Sequence, residues 1–182
     1  MKPIETERLV LRRLRLADAA FIRALVNEPS WIEYIGDKGV RTLADARLYL
    51  RSGPLAMYRG LGFGLYRVER AADSALLGIC GLVKRDGLDD VDIGYALLRR
   101  FWGNGYAREA AAAVIEHARR DIGLDRLVAI TAPGNAASSR LLEALGFGFE
   151  GLVTLPAGRK ISRLFGRDLR PGAQEPLITV AK

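Results

Sequence analysis

The stretch RRFWGNGYAREAAAAVIEHARR, residues 99–120, sets two glycines, Gly103 and Gly105, between a strand-like run and an alanine-rich segment. Glycine adopts backbone conformations that other residues avoid, so this spacing predicts a tight turn into a helix that begins near Tyr106. The first amides of a helix lack partners within it and carry the positive end of its dipole. The turn therefore predicts an anion site suited to a phosphate.

The helix after this turn carries small residues on one face, namely Ala107, Ala110, Ala111, Val114 and Ala118. Small side chains let a helix approach a sheet closely, which would hold its first turn near the end of the preceding strand. A purely structural turn explains the two glycines. It does not explain why the glycines, the strand end and the small helical face occur together.

Asp92 is the leading candidate for a general base. It lies on the strand 91–98 that leads into the glycine turn, and the period of two places it on the same side as Gly94 and Ala96. The same alternation allows an aspartate that faces solvent at the start of a strand. Both interpretations stay open at the level of the sequence.

Other catalytic groups are scarce. His117 is the only histidine and lies within the helix, which argues against a metal cluster or a Ser-His-Asp triad. Cys80 is the only cysteine, so no internal disulfide can form, and its apolar strand predicts a buried thiol rather than a nucleophile. No metal site is expected. In the segment 27–42, Glu33 is the second candidate base, and Trp31 and Tyr34 are expected to line a substrate pocket.

The hydrophobic pattern predicts the elements that position these residues. Strands are expected at 8–14, 63–70, 75–85, 91–98 and 126–132, with a closing hairpin at 149–169, and helices at 16–29, 42–50, 106–123 and 136–146. Thr42 and Asp45 resemble a capping box, while the segment 27–42 before them reads as a loop. One α+β domain over residues 1–169 follows, with a polar tail at 170–182.

Composition limits the classes of function. The chain has 182 residues and a net charge of +7, but its arginines are dispersed, so a solvated basic surface is favoured over a nucleic-acid-binding module. The start MKPIETERLVLRRL lacks the apolar core of a signal peptide, and no apolar run approaches the ~18 residues of a membrane span. We expect a cytoplasmic protein without a membrane partner, either a monomer or a homodimer.

The segments DIGYALLRRFWGNGYAREA and ITAPGNAASSRLLEALGF together resemble the GNAT acetyltransferase superfamily, and within it the ribosomal-protein N-terminal acetyltransferases. The likeness extends over about residues 5–169. It implies a mixed, mostly antiparallel twisted sheet of about seven strands with about four helices and a splayed strand pair at the cofactor site. It also implies acetyl-coenzyme A as co-substrate, with no metal.

In that family a Gln/Arg-x-x-Gly-x-Gly/Ala loop binds the pyrophosphate of the coenzyme. Arg100-x-x-Gly103-x-Gly105 fits the letters, but Trp102-x-x-Gly105-x-Ala107 fits the helix start better and is preferred. The resemblance also assigns the backbone near Leu97 to the pantetheine amides. The implied cofactor residues of this segment are Leu97, Leu98, Trp102, Gly103, Asn104, Gly105, Tyr106 and Ala107.

Asn135 and Ser138 match the family's Asn-x-x-Ser. The implied roles are contact with the pantetheine arm for Asn135, and contact with the coenzyme or its thiol for Ser138. A helix N-cap is an equally good interpretation of Asn135. Many relatives have a tyrosine acid where this chain has Leu142, so another group must protonate the sulfur.

The sequence thus predicts an acetyl-coenzyme A-dependent N-acetyltransferase in which a primary amine attacks the thioester directly. The acceptor could be a protein N-terminus or a small molecule. A GNAT-like protein that binds acyl-coenzyme A without catalysis is the alternative. The sequence identifies neither the amine nor the oligomeric state.

Overall fold

The computed structural model describes residues 2–156, 160–170 and 172, which fold around one eight-stranded sheet. The strands are β1 Ile4–Glu5, β2 Leu9–Arg13, β3 Leu65–Arg70, β4 Leu76–Val83, β5 Asp92–Leu97, β6 Arg126–Thr131, β7 Gly148–Thr154 and β8 Ile161–Asp168. Their order across the sheet is β1-β2-β3-β4-β5-β6-β8-β7. All neighbours are antiparallel except β5 and β6. The predicted α+β class is confirmed, and β1 is a strand that the sequence did not predict.

The helices are α1 Ala19–Val26, α2 Pro29–Tyr34, α3 Leu43–Ser52, α4 Pro54–Leu61, α5 Tyr106–His117 and α6 Ala136–Ala144. The prediction that residues 27–42 form only a loop is wrong, because α2 lies within them. Both α2 and α4 begin with proline, which is favoured at the first helical position because its missing N–H needs no partner there. These two helices are short and rich in turn-forming residues, so the hydrophobic pattern did not predict them.

Helices cover both faces of the sheet and enclose two hydrophobic cores. On one face α5 and α6 pack against the sheet, and on the other α1 to α4 do so. Strand β5 lies between the two cores, because Ile93 and Leu97 contact the first while Ala96 contacts the second. The strand can therefore present functional groups to both sides of the sheet.

Two local predictions are confirmed. The side chain of Thr42 accepts a hydrogen bond from the Asp45 amide at 3.1 Å, and the Asp45 carboxylate accepts one from the Thr42 amide at 2.8 Å. The small face of α5 packs as expected, since Ala110, Ala111 and Val114 are fully buried. The proposed tail at 170–182 lies almost entirely outside the described residues.

Candidate active site

The glycine turn leads directly into α5, and the N-cap residue of this helix makes no side-chain capping hydrogen bond. Gly103 and Gly105 both have φ of +77°, and Gly105 is the N-cap of α5. This left-handed conformation strains any residue with a Cβ, which explains why glycine occupies both positions. The helix begins at Tyr106, as predicted, in keeping with the Trp102-Gly105-Ala107 register. The uncapped amides of the first turn can receive an anion.

Trp102 occupies the position to which the resemblance assigns Gln or Arg, and its side chain hydrogen-bonds to the backbone of β5. Its indole Nε1 donates a hydrogen bond of 2.8 Å to the carbonyl of Leu97, and the Arg99 guanidinium lies 4.4 Å from its ring centroid. The carbonyl of Leu97, which the resemblance assigned to pantetheine, is therefore engaged by Trp102 in this structure.

A salt-bridged clamp fixes the glycine turn from the N-terminal strands. The Glu109 carboxylate on the first turn of α5 accepts hydrogen bonds from Thr6 Oγ1 at 2.6 Å and from Arg8 Nε at 2.7 Å. Arg8 also donates from Nη1 to the carbonyl of Asn104 at 3.1 Å. These bonds offset the charge of Glu109 beside the anion site and hold the carbonyl of Asn104 toward Arg8.

The splayed strand pair implied by the resemblance is present between β5 and β6. The two strands share a single paired position, Asp92 with Val128, and the Val128 amide donates to the Val91 carbonyl at 3.0 Å. Beyond that point they diverge. The carbonyl of Val91 points toward β6. Because backbone groups alternate in direction along a strand, the amides and carbonyls of Tyr95 and Leu97 also point toward the gap between β5 and β6.

Beside this gap, Asn135 and Ser138 lie at the start of α6. Asn135 Oδ1 accepts the Ser138 amide at 3.0 Å, so the N-cap interpretation of Asn135 is confirmed. The cap uses only the oxygen of this side chain. The hydroxyl of Tyr95 lies 2.7 Å from Ser138 Oγ. Burial raises the pKa of Tyr95 above its usual range, so the phenol stays protonated.

Asp92 is not the solvent-facing aspartate that the alternation allowed. It is 1% exposed, and its Oδ2 accepts a hydrogen bond of 2.6 Å from Nε of Arg85. The other oxygen, Oδ1, has no hydrogen-bond partner among the described residues. Burial raises the pKa of this carboxyl to about 6, and Arg85 opposes part of that shift.

A cavity of about 530 Å³ joins these groups. The predicted site residues that line it are Trp31, Tyr34, Asp92, Leu97, Trp102, Gly103, Gly105, Tyr106, Ala107, Asn135 and Ser138. The structure thus brings together two sequence motifs that lie about 30 residues apart in the chain because both flank the parallel strand pair.

Three predicted site residues lie outside the cavity wall. Glu33 is exposed, and its carboxylate raises the pKa of the neighbouring Tyr34 phenol; its role as a base stays a prediction. The amide of Leu98 donates to the Leu77 carbonyl at 2.8 Å, and its side chain is buried in the second core. The side chain of Asn104 donates to the Trp102 carbonyl at 3.0 Å and so stabilises the turn itself.

Sequence reasoning missed several wall residues, chiefly Lys38, Tyr49, Arg85 and Tyr95. Tyr95 follows Gly94 on the strand already assigned to the site, and period-two alternation could have marked it. Lys38 and Arg85 belong to loops, where no periodicity applies. Leu142, which stands where the resemblance implies a tyrosine acid, is buried and also lines the cavity.

No cluster of three or more His, Cys, Asp or Glu side chains that could hold a metal occurs in residues 2–156, 160–170 and 172. Within the same part of the chain, no helix combines the length and apolarity needed to cross a membrane. Cys80 is buried, and burial raises the pKa of its thiol.

A family model described as "Acetyltransferase (GNAT) domain" matches residues 8–148. The chain belongs to the GNAT acetyltransferase family. It is an N-acetyltransferase by this membership, and the family uses acetyl-coenzyme A.

Relatives of this acetyltransferase include an uncharacterized N-acetyltransferase, YoaA, of Bacillus subtilis, which is 29% identical over 82% of this chain and 85% of the relative. The uncharacterized B. subtilis protein YkkB is 31% identical over 78% of this chain and 82% of its own length. RimL, a ribosomal L7/L12 α-N-protein acetyltransferase solved with coenzyme A, superposes with a TM-score of 0.78 at 19% identity, over 92% of this chain and 98% of RimL. The likeness to RimL is one of fold.

Proposed function

We propose that this GNAT protein transfers the acetyl group of acetyl-coenzyme A to a primary amine by direct attack, within the cavity at the β5–β6 opening. The observation that carries the proposal is the meeting, in one cavity, of the uncapped start of α5, the opened strand pair and the buried carboxylate of Asp92. An anion site, an extended backbone edge and a base are the three parts that such a transfer needs.

The proposed binding mode of the coenzyme follows from the free backbone groups. The amides of the first turn of α5 receive the pyrophosphate, and the backbone of β5 at the opening pairs with the pantetheine arm. Asn135 keeps its amide nitrogen for that arm, because only its oxygen is used in capping α6. The carbonyl of Leu97 already accepts the indole of Trp102, so a bond from the pantetheine arm uses its second lone pair.

Asp92 is the proposed general base. A carboxyl with a pKa of about 6 is mostly ionised at neutral pH, and an α-amine with a pKa of ~8 is then mostly protonated. Raising the pKa of a carboxylate toward that of the amine makes it a better proton acceptor. Arg85 holds Oδ2, which leaves Oδ1 to take the proton from the attacking nitrogen.

Ser138 and Tyr95 are proposed to stabilise the departing sulfur in place of the missing tyrosine acid. A phenol whose pKa is raised is a poor proton source for a thiolate, so Tyr95 acts as a hydrogen-bonding partner and not as the acid. It orients the Ser138 hydroxyl, which donates to the sulfur as the C–S bond breaks. The thiolate then takes its proton from water.

Binding of acyl-coenzyme A without catalysis is the second candidate, and what favours it is a buried leucine, Leu142, where the family resemblance implies a tyrosine acid. Incubation with acetyl-coenzyme A and a panel of amines separates the two candidates. We expect thiol release that depends on an amine, together with an acetylated amine in the mass spectrum. Tight binding of acetyl-coenzyme A without either product would support the non-catalytic candidate.

A further inference from the structure

Two cations line the cavity on the side of the sheet covered by α1 to α4. Lys38 and Arg85 both line the cavity, and the pKa of Lys38 is lowered by burial and by the charge of Arg85. No hydrogen bond or ion pair joins Lys38 to any other residue in the described part of the chain. Arg85 is paired with Asp92, whereas the charge of Lys38 has no ionic partner among the described residues.

The loop that carries Lys38 is built so that the neighbouring carboxylate is not available to it. Asp37 forms an ion pair with Arg41 and accepts the Gly39 amide at 2.8 Å. Arg41 also donates to Asn27 Oδ1 at 2.8 Å, and Asn27 Nδ2 donates to the carbonyl of Val40 at 2.7 Å. The loop is thus fixed on its outer side.

Arg85 lies beside the strand where the acceptor must approach the thioester. Its Nη2 is 3.9 Å from the position that a Cβ on Gly94 would occupy, and its Nε bonds to Asp92. Arg85 has further donors on the same planar group, so it can hold Asp92 and a second anion together.

Resting on the proposed function, we infer that the amine acceptor is a small molecule that also carries a carboxylate, which Lys38 and Arg85 hold while its amine faces the thioester near Asp92. Lys38, Arg85 and Asp92 together carry one net positive charge, which one carboxylate balances and a phosphate dianion exceeds. Glu28 also lines the cavity, but no ion pair joins it to Lys38 or Arg85 within the described residues. The aromatic side chains of Trp31 and Tyr49 also line the cavity and can pack against the apolar part of the acceptor.

The test compares phenylalanine with phenethylamine, which differ by the carboxylate, using thiol release from acetyl-coenzyme A. We expect kcat/KM to favour phenylalanine. Lys38→Met should lower the ratio of the two kcat/KM values by roughly 10- to 100-fold, the equivalent of one charge-assisted hydrogen bond. Lys2→Met removes an exposed lysine outside the cavity and should leave the ratio unchanged.

Equal kcat/KM values for the two amines, or a ratio that Lys38→Met does not alter, would overturn the inference while leaving the acetyltransferase function standing. Preference for phosphoethanolamine over phenylalanine would overturn the assignment of a carboxylate. If neither amine is acetylated, calorimetry measures the binding of phenylalanine and of phenethylamine to the complex of the protein with coenzyme A. Binding of phenylalanine but not phenethylamine, lost in Lys38→Met, would then support the carboxylate site and contradict the transfer, whereas binding of neither would contradict both.

Discussion

Nε of Arg85 donates a hydrogen bond of 2.6 Å to Oδ2 of Asp92, a carboxylate that is 1% exposed and whose Oδ1 has no partner among the described residues. A buried charge normally has all its hydrogen bonds satisfied. Asp92 lines the cavity, and Arg85, which holds Oδ2, lies on the loop after β4. This arrangement keeps the carboxylate ionisable while leaving it one open position, which is what a proton acceptor needs.

The raised pKa of Asp92 predicts how stability changes with pH. In the unfolded chain the carboxyl loses its proton near pH 3.8, and in the folded protein near pH 6. Between these values the folded state binds more protons, so this group lowers stability as pH rises, by about 1.4 kcal/mol per unit. Asp92→Asn removes the effect. Between pH 4 and pH 7, denaturant titrations should show the stability of the variant rising relative to that of the parent by about 2 kcal/mol. A constant difference would mean that the pKa is not raised.

The glycine turn predicts where the coenzyme binds. Gly105→Glu should abolish the binding of acetyl-coenzyme A, because a carboxylate at the N-cap of α5 repels the pyrophosphate and fills its approach. Gly123→Glu is the matched control, since Gly123 has the same φ of +77° with open space around it and lies beyond the C-terminal end of α5. Calorimetry should find no binding for the first variant and parental affinity for the second. Unchanged affinity in folded Gly105→Glu would place the site elsewhere.

The hydrogen bond between Tyr95 and Ser138 predicts coupled effects on turnover. Tyr95→Phe keeps the ring and removes the hydroxyl, so kcat should fall about fivefold, the equivalent of ~1 kcal/mol, with little change in KM for the coenzyme. Ser138→Ala should lower kcat further. In the Ser138→Ala background, Tyr95→Phe should have no additional effect, because its partner is gone. Additive losses would show that Tyr95 does not act through Ser138.

Direct transfer predicts that the buried thiol of Cys80 is never acetylated. Burial raises the pKa of this thiol, which leaves almost no thiolate at neutral pH. Cys80→Ala should retain most of the turnover and lose about 1–2 kcal/mol of stability through the cavity it creates. Mass spectrometry of the parent quenched during turnover should detect no acetyl-protein. An acetylated species that disappears in the variant would establish a covalent intermediate instead.

Local signals in the sequence predicted the helices whose first residues include a glycine turn or a capping box. The start of α5 followed from Gly103 and Gly105, and the start of α3 from Thr42 and Asp45, because capping depends on residues close in sequence. The shape of the site depends on distant pairs. Arg8 meets Glu109 from 101 positions away, and no periodicity relates the two.

The same reasoning explains what the sequence left undecided about Asp92. The alternation of side chains along β5 predicted on which face of the sheet Asp92 lies, but it did not predict whether helices cover that face. Helices α1 to α4 cover that face, and Arg85, on the loop after β4, contacts Asp92. The sequence of β5 alone specifies neither. Two helices of that layer, α2 and α4, are short and begin at prolines, so their hydrophobic pattern was too brief to detect.

The most direct test of the account is the turnover number of Asp92→Asn, measured by thiol release from acetyl-coenzyme A with an accepted amine between pH 6 and 9. The substitution keeps the size and removes the basic oxygen. A general base contributes about 10²–10⁴ in rate, so we predict at least a tenfold loss at pH 7, with unchanged affinity for the coenzyme and partial recovery at high pH, where the amine is neutral. Parental turnover by Asp92→Asn across this range would contradict the assignment of Asp92 as the base.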